Sequence, residues 1–226
     1  TVEDPVEITQ PGLQQVQVEA SIGLDFTRIM RAFLRADPDV ILVGEMRDIQ
    51  TAQIGVEASL TGHMVFSTLH TNSAPETVTR LLDMGVEAIN FSEALQGILA
   101  QRLVKTLCPH CKESYAPSDE EWDYLVNHYD PELFPELGIS RDSARLYKAA
   151  GCARCGQSGY KGRTGIHELL VATPEVRRAI VRRQPAEEIG RLAAEQGMRT
   201  LHQDGIYKIF KGDIDIFQLQ KTTNAD

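Results

Sequence analysis

Asp39-Val40-Ile41-Leu42-Val43-Gly44-Glu45, residues 39–45, sets four consecutive apolar residues between two acids. The run is short enough to be a strand buried on both faces, as in a parallel sheet. Upstream, Phe26, Ile29, Met30, Phe33 and Leu34 recur at i, i+3, i+4, i+7 and i+8, the apolar stripe of an amphipathic helix, with Arg28, Arg31 and Arg35 on its other sides. Asp37-Pro38 stops that helix. Downstream, a helix from about Thr51 to Leu60 ends near Gly62, and Met64 to Leu69 is a second buried strand. Thr1 to Asp4 reads as the end of a further strand that meets Pro5. Strands alternating with helices at this spacing predict an α/β fold with a largely parallel sheet, its strands near 1–4, 40–45 and 63–69.

The texture then changes. Leu95, Ile98, Leu99 and Leu103 mark one more amphipathic helix running into Cys108, and residues 108–163 are rich in loops. Gly165 to Val171 reads as a strand, followed by helices over Pro174 to Arg183, Ala186 to Gln196 and Thr200 to Lys211. Three segments result: 1–107, 108–163 and 164–226.

All four cysteines lie in the middle segment, as Cys108-Pro-His-Cys111 and, 40 residues later, Cys152-Ala-Arg-Cys155. Two intervening residues let both sulfurs of a knuckle face one ion, so Cys108, Cys111, Cys152 and Cys155 offer four thiolates to one tetrahedral zinc. Disulfides are the alternative, disfavoured in a cytosolic chain, and a redox Cys-x-x-Cys leaves the second copy unexplained. Four sulfurs close the coordination shell, so the zinc is expected to be structural, with His110 outside the ligand set.

Of 226 residues, 42% are hydrophobic and 24% charged, which fits an ordinary globular protein and excludes disordered and fibrous classes. No apolar run approaches the roughly 18 residues that span a bilayer, and no signal-peptide layout opens the chain, so a cytoplasmic protein without a transmembrane segment is expected. The chain starts at Thr1 in mid-pattern, the layout of a piece cut from a longer protein. Net charge is −9, and residues 1–107 hold 14 acidic against 7 basic side chains. That field repels phosphate backbones, so no nucleic-acid partner is expected. The cluster Arg177, Arg178, Arg182 and Arg183 reads as a solvated helix face.

Open α/β sheets carry ligands at strand ends. Glu45 follows the strand at 40–43, Ser67-Thr68-Leu69-His70-Thr71-Asn72 closes the next, and Glu3, Asp4 and Glu7 flank Pro5 after the first. Three strand ends converging on acids and a histidine predict an active site where no single one would.

These residues resemble a family. Glu3-Asp4-Pro5-Val6-Glu7, the stretch from Leu34 through Gly44-Glu45-Met46-Arg47-Asp48, Leu60-Thr61-Gly62-His63 and Ser67 to Asn72 look like the ATPases of type II secretion and type IV pilus assembly. The two cysteine knuckles and Gly159-Tyr160-Lys161-Gly162-Arg163-Thr164-Gly165 resemble its zinc-bearing extension motors more than its retraction members. The resemblance implies a partial RecA-like P-loop ATPase core over 1–107, an inserted four-cysteine zinc subdomain over 108–163 and a helical C-terminal end over 164–226. It implies ATP and Mg2+ as ligands of the full-length parent, besides structural Zn2+. It also implies a homo-hexamer, peripheral to the inner membrane, acting on the cytoplasmic faces of membrane platform proteins.

Site roles follow by the same resemblance. Glu7 is the carboxylate that polarises the attacking water, Glu45 the Walker B-like acid acting on magnesium or its waters, and His70 the γ-phosphate sensor. Glu3 and Asp4 complete the acidic box, His63 is a more structural partner, and Arg28, Arg31 or Arg35 act across a subunit interface. Gly44 stands where many P-loop enzymes carry a magnesium-binding Asp. None of the 17 glycines is followed by lysine, so the phosphate cradle Gly-x-x-x-x-Gly-Lys-Ser/Thr is absent from these residues. The chain therefore reads as the C-terminal segment of a hexameric motor, inactive alone. The competing reading is a zinc-stabilised interaction module that turns over no nucleotide.

Overall fold

The computed structural model describes residues 1–223. In chain order the strands and α-helices are β1 (Val2–Glu3), β2 (Val16–Gln17), α1 (Phe26–Phe33), β3 (Val40–Val43), α2 (Ile49–Leu60), β4 (Met64–Ser67), α3 (Ala74–Asp83) and α4 (Ala88–Ala94). They continue with β5 (Gly97–Leu107), β6 (Glu113–Tyr115), α5 (Asp119–Tyr129), β7 (Leu146–Lys148), β8 (Tyr160–Val171), α6 (Pro174–Val181), α7 (Ala186–Glu195), α8 (Leu201–Phe210) and α9 (Ile216–Thr223). The chain forms two compact units. Among the described residues, one comprises 1–98 and 170–196, the other 99–169 and 197–223.

The first unit is built on a parallel sheet of order β2-β1-β3-β4. Val2 pairs with Val16 on one side and Val43 on the other, and β3 runs beside β4 from Val40↔Met64 to Val43↔Ser67. Val2, Ile41 and Val43 pack with Phe26, Ile29 and Met30 of α1 and with Ile54 and Ala58 of α2. Local signals start the helices: the carboxylates of Asp25 and Asp48 accept from the Arg28 and Thr51 amides, satisfying first-turn N–H groups that have no helical partner. The side chain of Ser73 does the same for α3 and that of Glu87 for α4.

Two expectations change here. Strands β3 and β4 were read as buried on both faces, yet Val40, Met64 and Phe66 are exposed. The register puts Val40 beside Met64 and Leu42 beside Phe66 on the face opposite the helices, so only the face of Ile41, Val43 and Val65 is packed. The four apolar residues from 95 to 103 do not form a helix: 97–107 is the strand β5, paired with β8. A spacing of four satisfies a period of 2 as well as one of 3.6, so Leu99 and Leu103 line one face of the strand, exposed, while Ala100 and Val104 are buried on the other.

The second unit closes around Val104, Ile166, Leu125, Tyr129, Phe134, Leu146, Ile206, Ile209, Ile214 and Leu219. Trp122 and Phe210 add edge-to-face contacts with Phe134, at centroid distances of 5.3 and 5.7 Å. A capping box at Ser118 and Glu121 starts α5, and another at Thr200 and Gln203 starts α8. The units are bounded differently from the three segments 1–107, 108–163 and 164–226. Residues 119–146 share one core with 201–219, whereas α6 and α7 pack on α4 and α3 in the first unit. Of the arginine cluster, Arg177 is committed to structure: its guanidinium donates to the Ser92 and Glu93 carbonyls in the last turn of α4. Among the described residues no helix is long and apolar enough to cross a membrane.

Gly205 in α8 leaves room for α9, since a Cβ there would lie 2.2 Å from Leu219 Cδ1 and 3.2 Å from its Cγ. Leu219 is fully buried and has no free direction to move. Alanine is the better helix former by about 1 kcal/mol, but overpacking costs about 1–3 kcal/mol. Gly205→Ala is therefore expected to lower stability in urea unfolding, against its helix propensity.

Candidate functional site

The carboxyl ends of β1, β3 and β4 are laced by backbone. The Gly44 amide donates to the Val2 carbonyl at 2.7 Å, the Met46 amide to the Thr68 carbonyl at 3.1 Å, and the Thr68 hydroxyl to the Gly44 carbonyl at 2.6 Å. A Cβ at Gly44 would meet the Val2 oxygen at 3.1 Å and the Glu3 Cα at 3.3 Å, so a side chain there fits only if the neighbouring strand gives way slightly. Over these ends opens a cavity of about 470 Å³ whose polar walls include Glu3, Asp4, Glu7, Glu45, Thr68 and His70. The structure thus brings together Glu3, Asp4, Glu7, Glu45 and His70, five of the residues singled out in the sequence.

Within the cavity Glu45 is the most enclosed carboxylate for which an ion pair is formed. Its side chain is 15% exposed, bonded through Oε1 to Arg47 and lying 3.5 Å through Oε2 from His70 Nε2. Arg47 also reaches Asp4 at 3.5 Å. The hydrogen bond from Arg47, followed by its charge and that of His70, holds the Glu45 carboxyl below the usual carboxylate range against the opposing effect of burial. Glu3 is likewise depressed, by hydrogen bonds from the Thr1 hydroxyl and the Gln15 amide. His70 stands 90% exposed at the rim.

Other expected residues lie elsewhere. His63 sits before β4, its Nδ1 2.9 Å from the Ala58 carbonyl and 3.2 Å from the Thr61 hydroxyl, at the C-terminal turn of α2. Arg28, Arg31 and Arg35 are exposed on and just beyond α1 and do not line the cavity, Arg28 donating to the Gly23 carbonyl at 3.4 Å. Arg47, Thr68 and Gln15 carried no assigned role in the sequence reading. Arg47 had a legible signal, a lone cation two residues after the acid of a buried strand.

The second unit holds the four cysteines, whose sulfurs all lie within 4.8 Å of one another. Cys108 to Cys152 is 4.0 Å, Cys111 to Cys155 3.9 Å and Cys152 to Cys155 3.8 Å. Bonds of about 2.3 Å to a tetrahedral ion put the sulfurs about 3.8 Å apart, whereas a disulfide needs about 2.05 Å. The donor set and its spacing therefore fit one four-coordinate metal ion. Burial pushes the Cys111 thiol up to about 12. Burial opposes ionisation at Cys155 too, but the Cys152 and Gly159 amides aimed at its sulfur bring it down to about 6. His110 is exposed against Arg154, outside the four-sulfur set.

Residues 1–221 match the family described as Type II/IV secretion system protein. The chain belongs to this family. Among curated members it is 52% identical over 215 residues to the type IV pilus assembly ATPase PilB of Thermus thermophilus, covering 94% of this chain and 23% of that protein. The PilB of Pseudomonas aeruginosa is 45% identical, over 99% of this chain and 38% of its own length. The type II secretion system ATPase E of Vibrio cholerae is 44% identical, over 99% and 42%. The chain thus spans about a quarter to two-fifths of the length of these relatives. The solved pilus retraction motor PilT with bound ADP superposes with a TM-score of 0.66 at 26% identity, over all of this chain and 52% of that one. Family membership, the parallel-sheet α/β ATPase fold and the cysteine cluster agree with the sequence reading.

Removing the guanidinium removes the first cause of the Glu45 shift. In Arg47→Ala the Glu45 carboxyl is expected to titrate closer to an ordinary glutamate, measured by carboxyl-carbon NMR. An unchanged midpoint would show that Arg47 does not set it.

Proposed function

We propose that the chain is the C-terminal segment of a homo-hexameric motor that couples ATP hydrolysis to type II protein secretion or type IV pilus assembly. The motor works in the cytoplasm at the inner membrane, against the cytoplasmic faces of platform proteins. The observation that carries this reading is the convergence of Glu3, Asp4, Glu7, Glu45 and His70 on one cavity at the ends of parallel strands, in a chain whose relatives are named assembly and secretion ATPases.

The cavity offers hard oxygen donors and a histidine, and among its described lining residues there is no lysine. Such walls fit the magnesium-and-water side of a nucleotide site. When bound, magnesium neutralises the phosphate charge. On this reading Glu45 holds a proton-accepting carboxylate toward the ion's waters, fixed in direction by Arg47. Glu7, on the loop that lines the cavity, orients the attacking water, and His70, exposed at the rim beside Glu45, reports on the terminal phosphate. His63 keeps the turn before β4, and Arg28, Arg31 or Arg35 serve a neighbouring subunit. The phosphate-gripping loop comes from outside these 226 residues. Positioning and charge stabilisation dominate phosphoryl transfer, so these residues alone should hydrolyse ATP at background rate.

In the full-length protein, Glu45→Gln is expected to keep nucleotide binding and to lose about 10²-fold or more in turnover, the scale of one catalytic electrostatic group. Steady-state hydrolysis with separate nucleotide-binding measurements checks it, and wild-type turnover would remove Glu45 from the mechanism.

The four-cysteine cluster is assigned to structural zinc, held by Cys108, Cys111, Cys152 and Cys155 with no open position for catalysis. Elemental analysis is expected to give about one zinc per chain. Replacing Cys108 and Cys152 by Ser should accelerate hydrogen exchange first in the knuckles and in β6 and β7. Exchange unchanged there would refute a structural metal.

A further inference from the structure

The loop that carries Glu7 runs from Pro5 to Gln10 and is exposed except at Val6. Among the described residues no backbone–backbone hydrogen bond reaches residues 5–9, and Gln10 has one, its carbonyl accepting from the Leu13 amide at 3.2 Å. A loop so placed has no ladder to hold it. Its bonds go instead to side chains at the start of β2. Gln15 Nε2 donates to Glu3 Oε1 at 3.0 Å and to the Ile8 carbonyl at 3.1 Å, while Gln15 Oε1 accepts from the Gln10 amide at 2.6 Å. Gln17 Oε1 accepts from the Val6 amide at 3.2 Å.

We propose that Gln15 is a positioning residue that clamps the acidic loop and so keeps Glu7 at its place on the cavity wall. The assignment rests on the reading of this cavity as an ATP-hydrolysing site. Its three bonds bracket Glu7, with Glu3 on one side and Ile8 and Gln10 on the other. Gln15 is itself fixed, because the next residue, Val16, pairs with Val2 in the sheet. A primary amide supplies two donors and an acceptor on one planar group, which carboxylates, hydroxyls and ammonium groups cannot do. Glutamate at 15 would lose both donated bonds and set a second negative charge against Glu3, and asparagine would stop one methylene short of the loop. Gln15 touches no reacting atom in this arrangement and acts through the loop.

The test uses the full-length protein with Gln15→Met, which keeps the side chain's length and removes all three bonds. Loss of positioning is expected to lower kcat on the order of 10- to 100-fold while leaving KM for ATP within about twofold. Hydrogen exchange at the Gln10 amide should accelerate, with α1 and α2 unchanged as the folding control. Gln14→Met, at the exposed neighbour, should alter neither readout. If Gln15→Met does not fold, Gln15→Asn carries the same measurements. A wild-type kcat in either variant overturns the proposal, as does unchanged exchange at Gln10. If the unsubstituted protein hydrolyses no ATP, the functional reading fails, and the exchange at Gln10 still decides whether the clamp exists.

Discussion

The close approach of β1 to β3 at Gly44 is the constraint from which the site follows. A hydrogen atom is all that separates the two backbones there, since a Cβ would press on the Val2 carbonyl and the Glu3 Cα. The approach allows the 2.7 Å bond from the Gly44 amide to Val2, and that bond brings the acidic box of one strand beside the acid that ends the next. The hydroxyl of Thr68 then ties β4 to the same residue through its carbonyl. Glycine is thus favoured by packing at a position where P-loop enzymes often place an acid. The consequence is chemical: Glu45 stands without a carboxylate neighbour on its own strand and takes its direction from Arg47.

That arginine also answers an electrostatic problem. Residues 1–107 carry twice as many acids as bases, and four of the acids face one cavity. Like charges in a cleft raise one another's pKa and resist assembly. Arg47 reaches both Glu45 and Asp4, so one cation offsets two of the four. Because the Glu45 carboxyl is depressed in the folded state, its contribution to stability is present above the ordinary glutamate range and is lost as pH falls through the folded value. Glu3 is stabilised in the same sense by a different route, the hydrogen bonds that its carboxylate accepts from Thr1 and Gln15.

Much of this was legible in the sequence. The strands at 40–43 and 64–67, helices α1 and α2 and the convergence of strand-end acids all follow from apolar runs and breakers, which are local. The cysteine cluster follows from spacing alone. Other features were not legible. The strand at 97–107 shows apolar residues four apart, a spacing that helix and strand share. The helices α3, α4, α5 and α9 were passed over although side-chain caps at Ser73, Glu87 and Ser118 start three of them, Ser118 with Glu121 in a capping box. The open face at Met64 and Phe66 has no sequence mark, since a buried and an exposed phenylalanine are the same letter. At the site, Gln15 and Thr68 act through bonds to residues distant in sequence or on another strand, and no local pattern announces such bonds.

The second unit shows how a cysteine-bearing segment and a helical end, which read as separate textures, become one body. Leu125, Tyr129 and Phe134 from the middle of the chain meet Ile206, Ile209 and Leu219 from its end, and ten buried residues form that single cluster. The Tyr160 hydroxyl donates to Asp215 at 2.7 Å, and the Lys112 ammonium donates to the Gly212 carbonyl at 2.6 Å. These bonds tie residues beside both knuckles to the turn between α8 and α9. The core therefore holds the middle of the arm without any metal. Outside that core cluster lies the pair of knuckles, where three of the four cysteines are only partly buried. The four sulfurs gathered there, all within 4.8 Å of one another, are a donor set that one ion would join, and joining them would close the roughly 40-residue stretch between the knuckles at its base, where loop-closure entropy is the cost that remains.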